Sequence, residues 1–380
     1  MTEYIKLCDV CDFQGGSQPP KDEWSFDLKD GYIRMLQIRD FTQNEKVAPE
    51  YIKITKTTKT CGADDILIAR YGASLGKILT GLAGAYNVAI MRTIPDTNVL
   101  EKKYLYYYLK SPVFQRFLLN VGSRAAQAGF NKYDLQELLI PNITRNEQVK
   151  IVGILERVET VIEARQKELQ KLDDLIKARF VEMFGGIHDS VLYPYIQTKK
   201  LCDVISGGTP NREKNEYWEK GDIPWIRTAD LQNEVIQKPA EYITRKGLDN
   251  SSAKLVPPST ILIAMYGQGK TRGMTGYLNI KASTNQACAC ILPGSKINPI
   301  FMWKYYELSY EKLRNMAKGG NQPNLNGNMI KEFLVLLPPI ELQNKFVDFV
   351  QQVDKSKLAV QQSLEKTQQL FDSLMQKYFG

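Results

Sequence analysis

The sequence predicts an α+β protein: two mixed α/β domains and two long helices, the helices packed as an antiparallel coiled coil about a pseudo-twofold internal repeat. Three observations predict it. An apolar ladder, Ile151, Leu155, Val158, Ile162, Arg165, Leu169, Leu172, Ile176, Arg179 and Met183, advances by alternating fours and threes, the spacing of a coiled-coil seam. A second ladder, Phe346, Val350, Val353, Lys357, Val360, Leu364, Thr367, Phe371, Leu374 and Tyr378, repeats the first at a shift of 195. The stretches before the two ladders carry the same short motifs in the same order, the mark of a duplicated unit.

Leu7-Cys8-Asp9-Val10 matches Leu201-Cys202-Asp203-Val204, each reading as the start of a strand. A glycine pair and a proline follow in both copies, Gly15-Gly16-Ser17-Gln18-Pro19 and Gly207-Gly208-Thr209-Pro210. A polar loop ending in Trp24 or Trp218 leads to a strand, 33–40 in the first copy and 223–230 in the second. The clearest match sets Ile66-Leu67-Ile68-Ala69-Arg70-Tyr71-Gly72 against Ile261-Leu262-Ile263-Ala264-Met265-Tyr266-Gly267, an apolar strand running into a glycine turn. Asn87 pairs with Asn285, and aromatic-rich short helices follow at 104–111 and 301–309. Next come Gly122-Ser123-Arg124 with Gln127 and Phe130-Asn131, against Gly319-Gly320-Asn321-Gln322 and Leu325-Asn326. Each copy closes on an apolar strand ending in Pro141 or Pro338, then enters its long helix through Glu147-Gln148 or Glu341-Leu342-Gln343.

These landmarks place the first domain at 1–145, the first long helix at 146–185, the second domain at 186–340 with a linker at 186–195, and the second long helix at 341–380. A helix of about 38 residues is about 57 Å long at 1.5 Å per residue. Because a whole domain intervenes between the helices, packing them together with the domains at opposite ends makes them antiparallel. Arg165 and Arg179 interrupt one ladder and Lys357 the other at different rungs, so each long side chain can lie against an apolar rung and end in water.

Composition narrows the class. Fifty basic against 42 acidic residues give a net charge of +8, a mild excess that suits a polyanion partner. The N-terminal ten residues lack a signal-like apolar core, and no run approaches ~18 apolar residues, so a cytoplasmic protein without membrane contact is expected. Cys8 and Cys11 have zinc-like spacing, but no second pair accompanies them and His188 is the single histidine, so no metal is expected. Buried thiols in a reducing compartment are the simpler account of the six cysteines.

The sequence resembles the specificity subunits of Type I restriction-modification enzymes. The residues that carry the resemblance are Ser206-Gly207-Gly208-Thr209-Pro210, Ile223-Pro224-Trp225-Ile226-Arg227 with Asp230-Leu231, the turns Tyr71-Gly72 and Tyr266-Gly267, and the Pro141 to Gln148 entrance to the helix. It covers essentially the whole chain. The first copy departs from it where Gln18 is inserted before Pro19 and where Met35-Leu36 stands in place of Trp225-Ile226. The resemblance implies two target recognition domains, each reading one half of a bipartite, asymmetric site in double-stranded DNA. It also implies that the helices set the spacing and dock two copies of an adenine methyltransferase together with restriction/translocase subunits. Methylation and cleavage would belong to those partners, and this chain would be no enzyme and need no cofactor.

Base reading needs Arg, Lys, Asn or Gln side chains beside backbone amides that can hold phosphates. Such groups cluster at the glycine turns: Arg70, Tyr71, Ser74 and Lys77 in the first copy, Tyr266, Gln268, Lys270 and Arg272 in the second. A second polar cluster holds Arg124, Gln127, Asn131 and Lys132, with Asn321, Gln322 and Asn326 as its counterpart, and Arg227 follows the Trp225 strand. Glycine-flanked polar residues also serve turns alone. Tyr104, Tyr106, Tyr107 and Tyr108 pair with Phe301, Trp303, Tyr305 and Tyr306 at helical spacing and read as core.

Enzyme readings fall short. Ala264 to Thr271 resembles a phosphate-binding loop, but Ala264 replaces its first glycine and Arg272-Gly273 is a poor helix start. Pro95-Asp96 with Glu101-Lys102-Lys103 mimics a nuclease's acids and lysine, yet Pro293-Gly294-Ser295-Lys296 lacks the acids. No glycine-rich methyl-donor loop is paired with an Asn-Pro-Pro-aromatic string, and the lone His188 offers no acid/base partner. A rival from another class is a protein-interaction scaffold whose tandem domains bind partners and whose helices dimerise.

Overall fold

Two 40-residue helices, Arg145–Phe184 and Ile340–Phe379, start and end 195 positions apart, the shift at which their apolar ladders repeat. The computed structural model describes residues 3–43, 47–122, 129–267, 269–317 and 323–380. The chain forms two units, Met1–Gln166 with Gln361–Gly380, and Lys167–Val360, so each unit holds the start of one long helix or the end of it together with the opposite end of the other.

In the first unit the strands are β1 (Tyr4–Lys6), β2 (Cys11–Gly15), β3 (Tyr32–Leu36), β4 (Tyr51–Lys53), β5 (Thr60–Cys61), β6 (Leu67–Ala69), β7 (Ile78–Leu79), β8 (Gly84–Tyr86), β9 (Ile90–Pro95) and β10 (Leu139–Pro141). Among the described residues they form sheets of order β2-β9-β6-β7 and β4-β3-β8-β5 and the pair β1-β10. The second unit holds β11 (Tyr195–Gln197), β12 (Val204–Ser206), β13 (Ile223–Ile226), β14 (Glu234–Ile236), β15 (Glu241–Ile243), β16 (Ile261–Ala264), β17 (Thr275–Leu278), β18 (Ser283–Thr284), β19 (Cys288–Ile291) and β20 (Leu334–Leu336). Their sheets run β12-β19-β16-β17-β14 and β15-β13-β18, with the pair β11-β20. Strand for strand the order is the same, β5 being added in the first unit and β14 in the second. A parallel pairing recurs, β3 with β8 and β13 with β18, and β14 adds another with β17 in the second unit.

The apolar run 66–69 follows from burial on both faces, since alternate residues of a strand point to opposite sides. Ile66 and Ile68 enter the core that faces the helices, while Leu67 and Ala69 enter a smaller core with Leu36, Tyr86 and Ile90. In the second unit Ile261 and Ile263 divide from Leu262 and Ala264 in the same way.

Two local expectations are corrected and a third is extended. Leu7–Val10 is one helical turn, not the start of a strand: it carries the chain from β1 to β2 with Leu7 fully buried and its N–H on Leu138 O at 2.8 Å. The strand expected over 33–40 ends at Leu36, because Asp40 caps a helical turn by accepting from Gln37 N–H at 2.9 Å. The helices Lys102–Lys110 and Pro299–Leu308 are each followed at once by another, Pro112–Gly122 and Tyr310–Met316.

Within the first unit Tyr104 packs its ring 5.1 Å from Phe379, and Tyr107 lies 6.3 Å from Phe371. Within the second, Phe180 and Phe184 pack on Phe346 at 5.5 and 5.7 Å. Every apolar ladder residue is buried or half-buried, whereas Val149, Val161, Leu175, Val181, Leu358 and Leu370, which lie off the ladder, are exposed. Val152, Phe180, Phe184, Val347, Met375 and Phe379 are buried as well. Near the sheets each helix covers a domain core besides its ladder, so its apolar face widens.

Candidate nucleic-acid interface

After β6 the chain reverses through a short turn, Gly72–Ser74, with Gly72 and Gly76 at φ +68° and +80°, a backbone region that favours glycine. Gly76 N–H returns to Ala69 O at 2.9 Å and Lys77 N–H to Ser74 O at 3.0 Å, starting β7. Arg70 then ties three loops together. Its Nε donates to Phe130 O at 3.1 Å, its Nη1 to Val88 O at 3.2 Å, and its guanidinium lies 5.0 Å from the Tyr71 ring. Tyr71 pairs through its backbone with Gly129, where a Cβ would fall 2.4 Å from the Tyr71 ring. Only glycine fits there.

The second unit builds the same junction from different side chains. Gly267 and Gly273 take φ +144° and +87°, and Gly273 N–H donates to Ala264 O at 2.9 Å. Arg272 donates to Pro323 O, and Leu325 N–H donates to Met265 O at 3.0 Å, so the second polar segment is again fastened to the glycine turn. The helix Tyr310–Met316 props the turn: Tyr310 donates to Lys270 O at 2.6 Å and Arg314 to Arg272 O at 2.9 Å. Asn87 and Asn285 hold the adjoining loop alike, their N–H groups on Leu36 O and Ile226 O and their carbonyls accepting from Ile90 and Cys288. The matching asparagines were visible in the sequence, but their bonding was not.

The two polar clusters of each copy are therefore adjacent. Tyr71 and Tyr266 stand exposed at equivalent places; Lys77 and Lys270 are also exposed, at different places in the two turns, and neither has an acidic partner among the described residues. Ser74 is half-buried. Asn131 and Asn326 serve local structure, accepting from Tyr133 N–H at 2.8 Å and from Met329 N–H at 3.0 Å as a turn and a helix cap. Lys132 pairs with Asp12, which holds that carboxyl below its usual range. Arg227 bridges Asp230 and Glu241 at 3.0 and 2.9 Å. Arg124, Gln127, Gln268, Asn321 and Gln322 lie outside the described residues.

The aromatic residues Tyr104, Tyr107, Tyr108, Phe301, Trp303, Tyr305 and Tyr306 are buried, and Tyr106 is half-buried. Burial pushes the Cys202 and Cys290 thiols up to about 11, which keeps them protonated at neutral pH. Among the described residues no group of three or more side chains is arranged to hold a metal, and no helix is long and apolar enough to cross a membrane. The Gly269-Lys270-Thr271 stretch runs into β17, so no helix N-terminus is presented to a phosphate chain there.

The family model described as the Type I restriction modification DNA specificity domain matches residues 2–174 and again 194–369. The chain is 24% identical to the Type I restriction enzyme EcoR124I/EcoR124II specificity subunit of Escherichia coli over 70% of this chain and 66% of that relative's length. It is 22% identical to the Type I restriction enzyme MjaIX specificity subunit of Methanocaldococcus jannaschii, over 98% and 91% of the respective lengths. In fold it is similar to a chain solved in work on complex assembly and conformational transition of the type I R-M system, with a TM-score of 0.62, 19% identity, and 99% and 97% coverage. It is also similar to the Type I restriction-modification S subunit from M. genitalium, with a TM-score of 0.51, 18% identity, and 100% and 96% coverage.

Proposed function

Because the chain belongs to the Type I restriction modification DNA specificity family, we propose that each of its two units reads one half of a bipartite, asymmetric site in double-stranded DNA. Sequence choice is the task of this chain, and methylation and cleavage fall to partner subunits. The observation that carries the reading is the junction repeated in both units, where a glycine turn is tied by an arginine to a second polar segment and exposed Tyr and Lys side chains stand on the turn. Arg70, Tyr71, Ser74, Lys77, Asn131 and Lys132 would serve one half-site, and Arg227, Tyr266, Lys270, Arg272 and Asn326 the other. Groups that hold a turn place the backbone, and the exposed ones meet bases or phosphates.

The ladder residues pair as an antiparallel coiled coil relating the domains by a pseudo-twofold axis, and this coil fixes the gap between half-sites. Support comes from the ladder's burial and from the 195-position shift shared by ladders and helix ends. The outer faces of the helices are the platform for two adenine methyltransferase subunits, with restriction subunits joining them. Selection from randomised duplexes, using the full chain with its methyltransferase, is expected to return two short blocks at one fixed gap. Recovery of a single block, or of none, would overturn the reading.

A further inference from the structure

A carboxylate wedged between two more exposed cations recurs in both units, apart from the glycine turns. In the first, Glu50 precedes β4 and lies opposite Met35, whose N–H donates to Glu50 O at 2.7 Å. Its carboxylate accepts from Lys21 Nζ and from Gln37 Nε2, each at 2.6 Å, and pairs with Arg39. Lys21 also sits 3.6 Å over the Trp24 ring, whose Nε1 donates to Pro19 O at 3.1 Å. In the second unit Glu241 is paired in register with Trp225 and takes Arg212 at 2.6 Å and Arg227 at 2.9 Å. Arg212 lies 3.6 Å over the Trp218 ring, whose Nε1 donates to Asn211 O at 3.0 Å.

Strand register makes the acids equivalent: each faces the matching residue of β3 or β13. Gln37 and Arg227 stand two positions beyond those residues, and Asp40 and Asp230 accept from their N–H groups at 2.9 Å. The acid is inside and the cations are outside. Side-chain exposure is 8% for Glu50 against 61% for Lys21 and 44% for Arg39. It is 26% for Glu241 against 51% for Arg212. Lys220, with no acidic partner among the described residues, joins Arg212 in lining a recess of about 390 Å³ in the second unit. One shared carboxylate orients the cations without using all their N–H donors, and the aromatic platform fixes one of them further. A cation ordered in this way has already lost the side-chain entropy that binding would otherwise require.

The segment leading to each tryptophan is anchored beside the proposed reading loops. Ser17 N–H donates to Tyr86 O at 3.1 Å and Gly208 N–H to Thr284 O at 2.8 Å, next to the loops held by Asn87 and Asn285. We propose that Lys21 with Arg39, and Arg212 with Lys220, are clamps for DNA phosphodiesters, and that Glu50, which aims Lys21 and Arg39, and Glu241, which aims Arg212, are positioning residues. This rests on the DNA-reading function above and adds to it the groups that take the backbone. A cation held by a carboxylate has little freedom to search base edges, so its contribution is to affinity and placement, not to base choice.

The test measures binding of the full chain with its methyltransferase to a mixed-sequence duplex over a range of salt. Lys21→Ala and Arg212→Ala are each expected to weaken binding several-fold and to lower the slope of log affinity against log salt by about one. Lys21→Arg and Arg212→Lys, which keep the charge and the fold, should retain the slope, and the blocks recovered by selection should not change. Glu241→Gln should weaken binding although it removes a negative charge, as a positioning role requires; tighter binding would refute that role. Steep salt dependence in the parent with unchanged slopes in both alanine variants would overturn the clamp while leaving DNA reading intact. A parent without salt-dependent binding would instead remove the DNA reading on which the clamp rests.

Discussion

Lys357 Nζ lies 2.5 Å from Asp173 Oδ1, joining the two long helices within the second unit. Lys357 occupies a rung where most ladder residues are apolar, and its side chain is 28% exposed against 50% for Asp173. Burial, the largest single influence, works against its charge, but Asp173 together with Asp354 and Glu307 outweighs it and holds the ammonium group above its usual range. Asp173→Ala should therefore destabilise the protein by about 1 kcal/mol, at the upper end for a partly exposed pair. Lys357→Leu should be neutral or stabilising, because an apolar side chain suits the rung better than a half-buried ion. Urea unfolding of the two variants checks both signs.

Phe180 is fully buried among Phe184, Phe301, Tyr305 and Phe346. Phe180→Ala removes a ring from the centre of that cluster and should cost about 3–5 kcal/mol. Leu358→Ala, at an exposed position on the other long helix, should stay within about 0.5 kcal/mol. Thermal unfolding distinguishes them.

Periodicity and repetition made the architecture readable: the helix ends share the ladder shift, and the strand order is duplicated. Phe180 lies off the ladder, which marks contacts between helices, whereas Phe180 also packs against a domain aromatic, Phe301. The glycine turns were legible for a local reason, positive φ. The grouping of Arg70 with Phe130 O and of Lys21 with Glu50 depends on loops brought together by sheet order, which no local pattern records. Nothing in the sequence around Arg227 shows that it is paired, yet its two carboxylate partners lie 3 and 14 positions away, one of them on another strand.

Gly129→Ala should disturb one half-site alone. The added methyl would meet the Tyr71 ring at 2.4 Å and push apart the loops that Arg70 holds. Selection from randomised duplexes should then return the block read by the second unit unchanged and the other degraded. Loss of both blocks together would contradict the assignment of one block to each unit.

His188 sits by Tyr305, whose hydroxyl lies 3.4 Å from its Nδ1 and donates to Ile187 O at 2.9 Å. Burial, aided by Lys312 and opposed by Asp189, pushes His188 down to about 4. The unfolded chain takes up this proton near pH ~6.5. Between the two values the unfolded state binds more protons, so stability rises with pH through that window and is lost as pH falls. His188→Asn should flatten the slope between about pH 5 and 6.5, where few carboxylates titrate. Thermal midpoints measured across that range for both proteins check it; an unchanged slope would assign the dependence elsewhere.

A seven-residue deletion centred near Lys167 in one long helix and near Gln362 in the other preserves the heptad register, so the same seam residues still face each other. It shortens each helix by about 10 Å at 1.5 Å per residue, and at 3.4 Å per base pair that is roughly three base pairs. If the coiled coil sets the gap between half-sites, selection should return the same two blocks with the gap shorter by about that amount. Deleting four residues instead breaks the seven-residue repeat and leaves the two halves of each seam turned by about 40° relative to one another, so it should distort the pairing and destabilise the protein rather than cleanly reset the gap. An unchanged gap after the seven-residue deletion would mean that the helices hold the readers without measuring their separation.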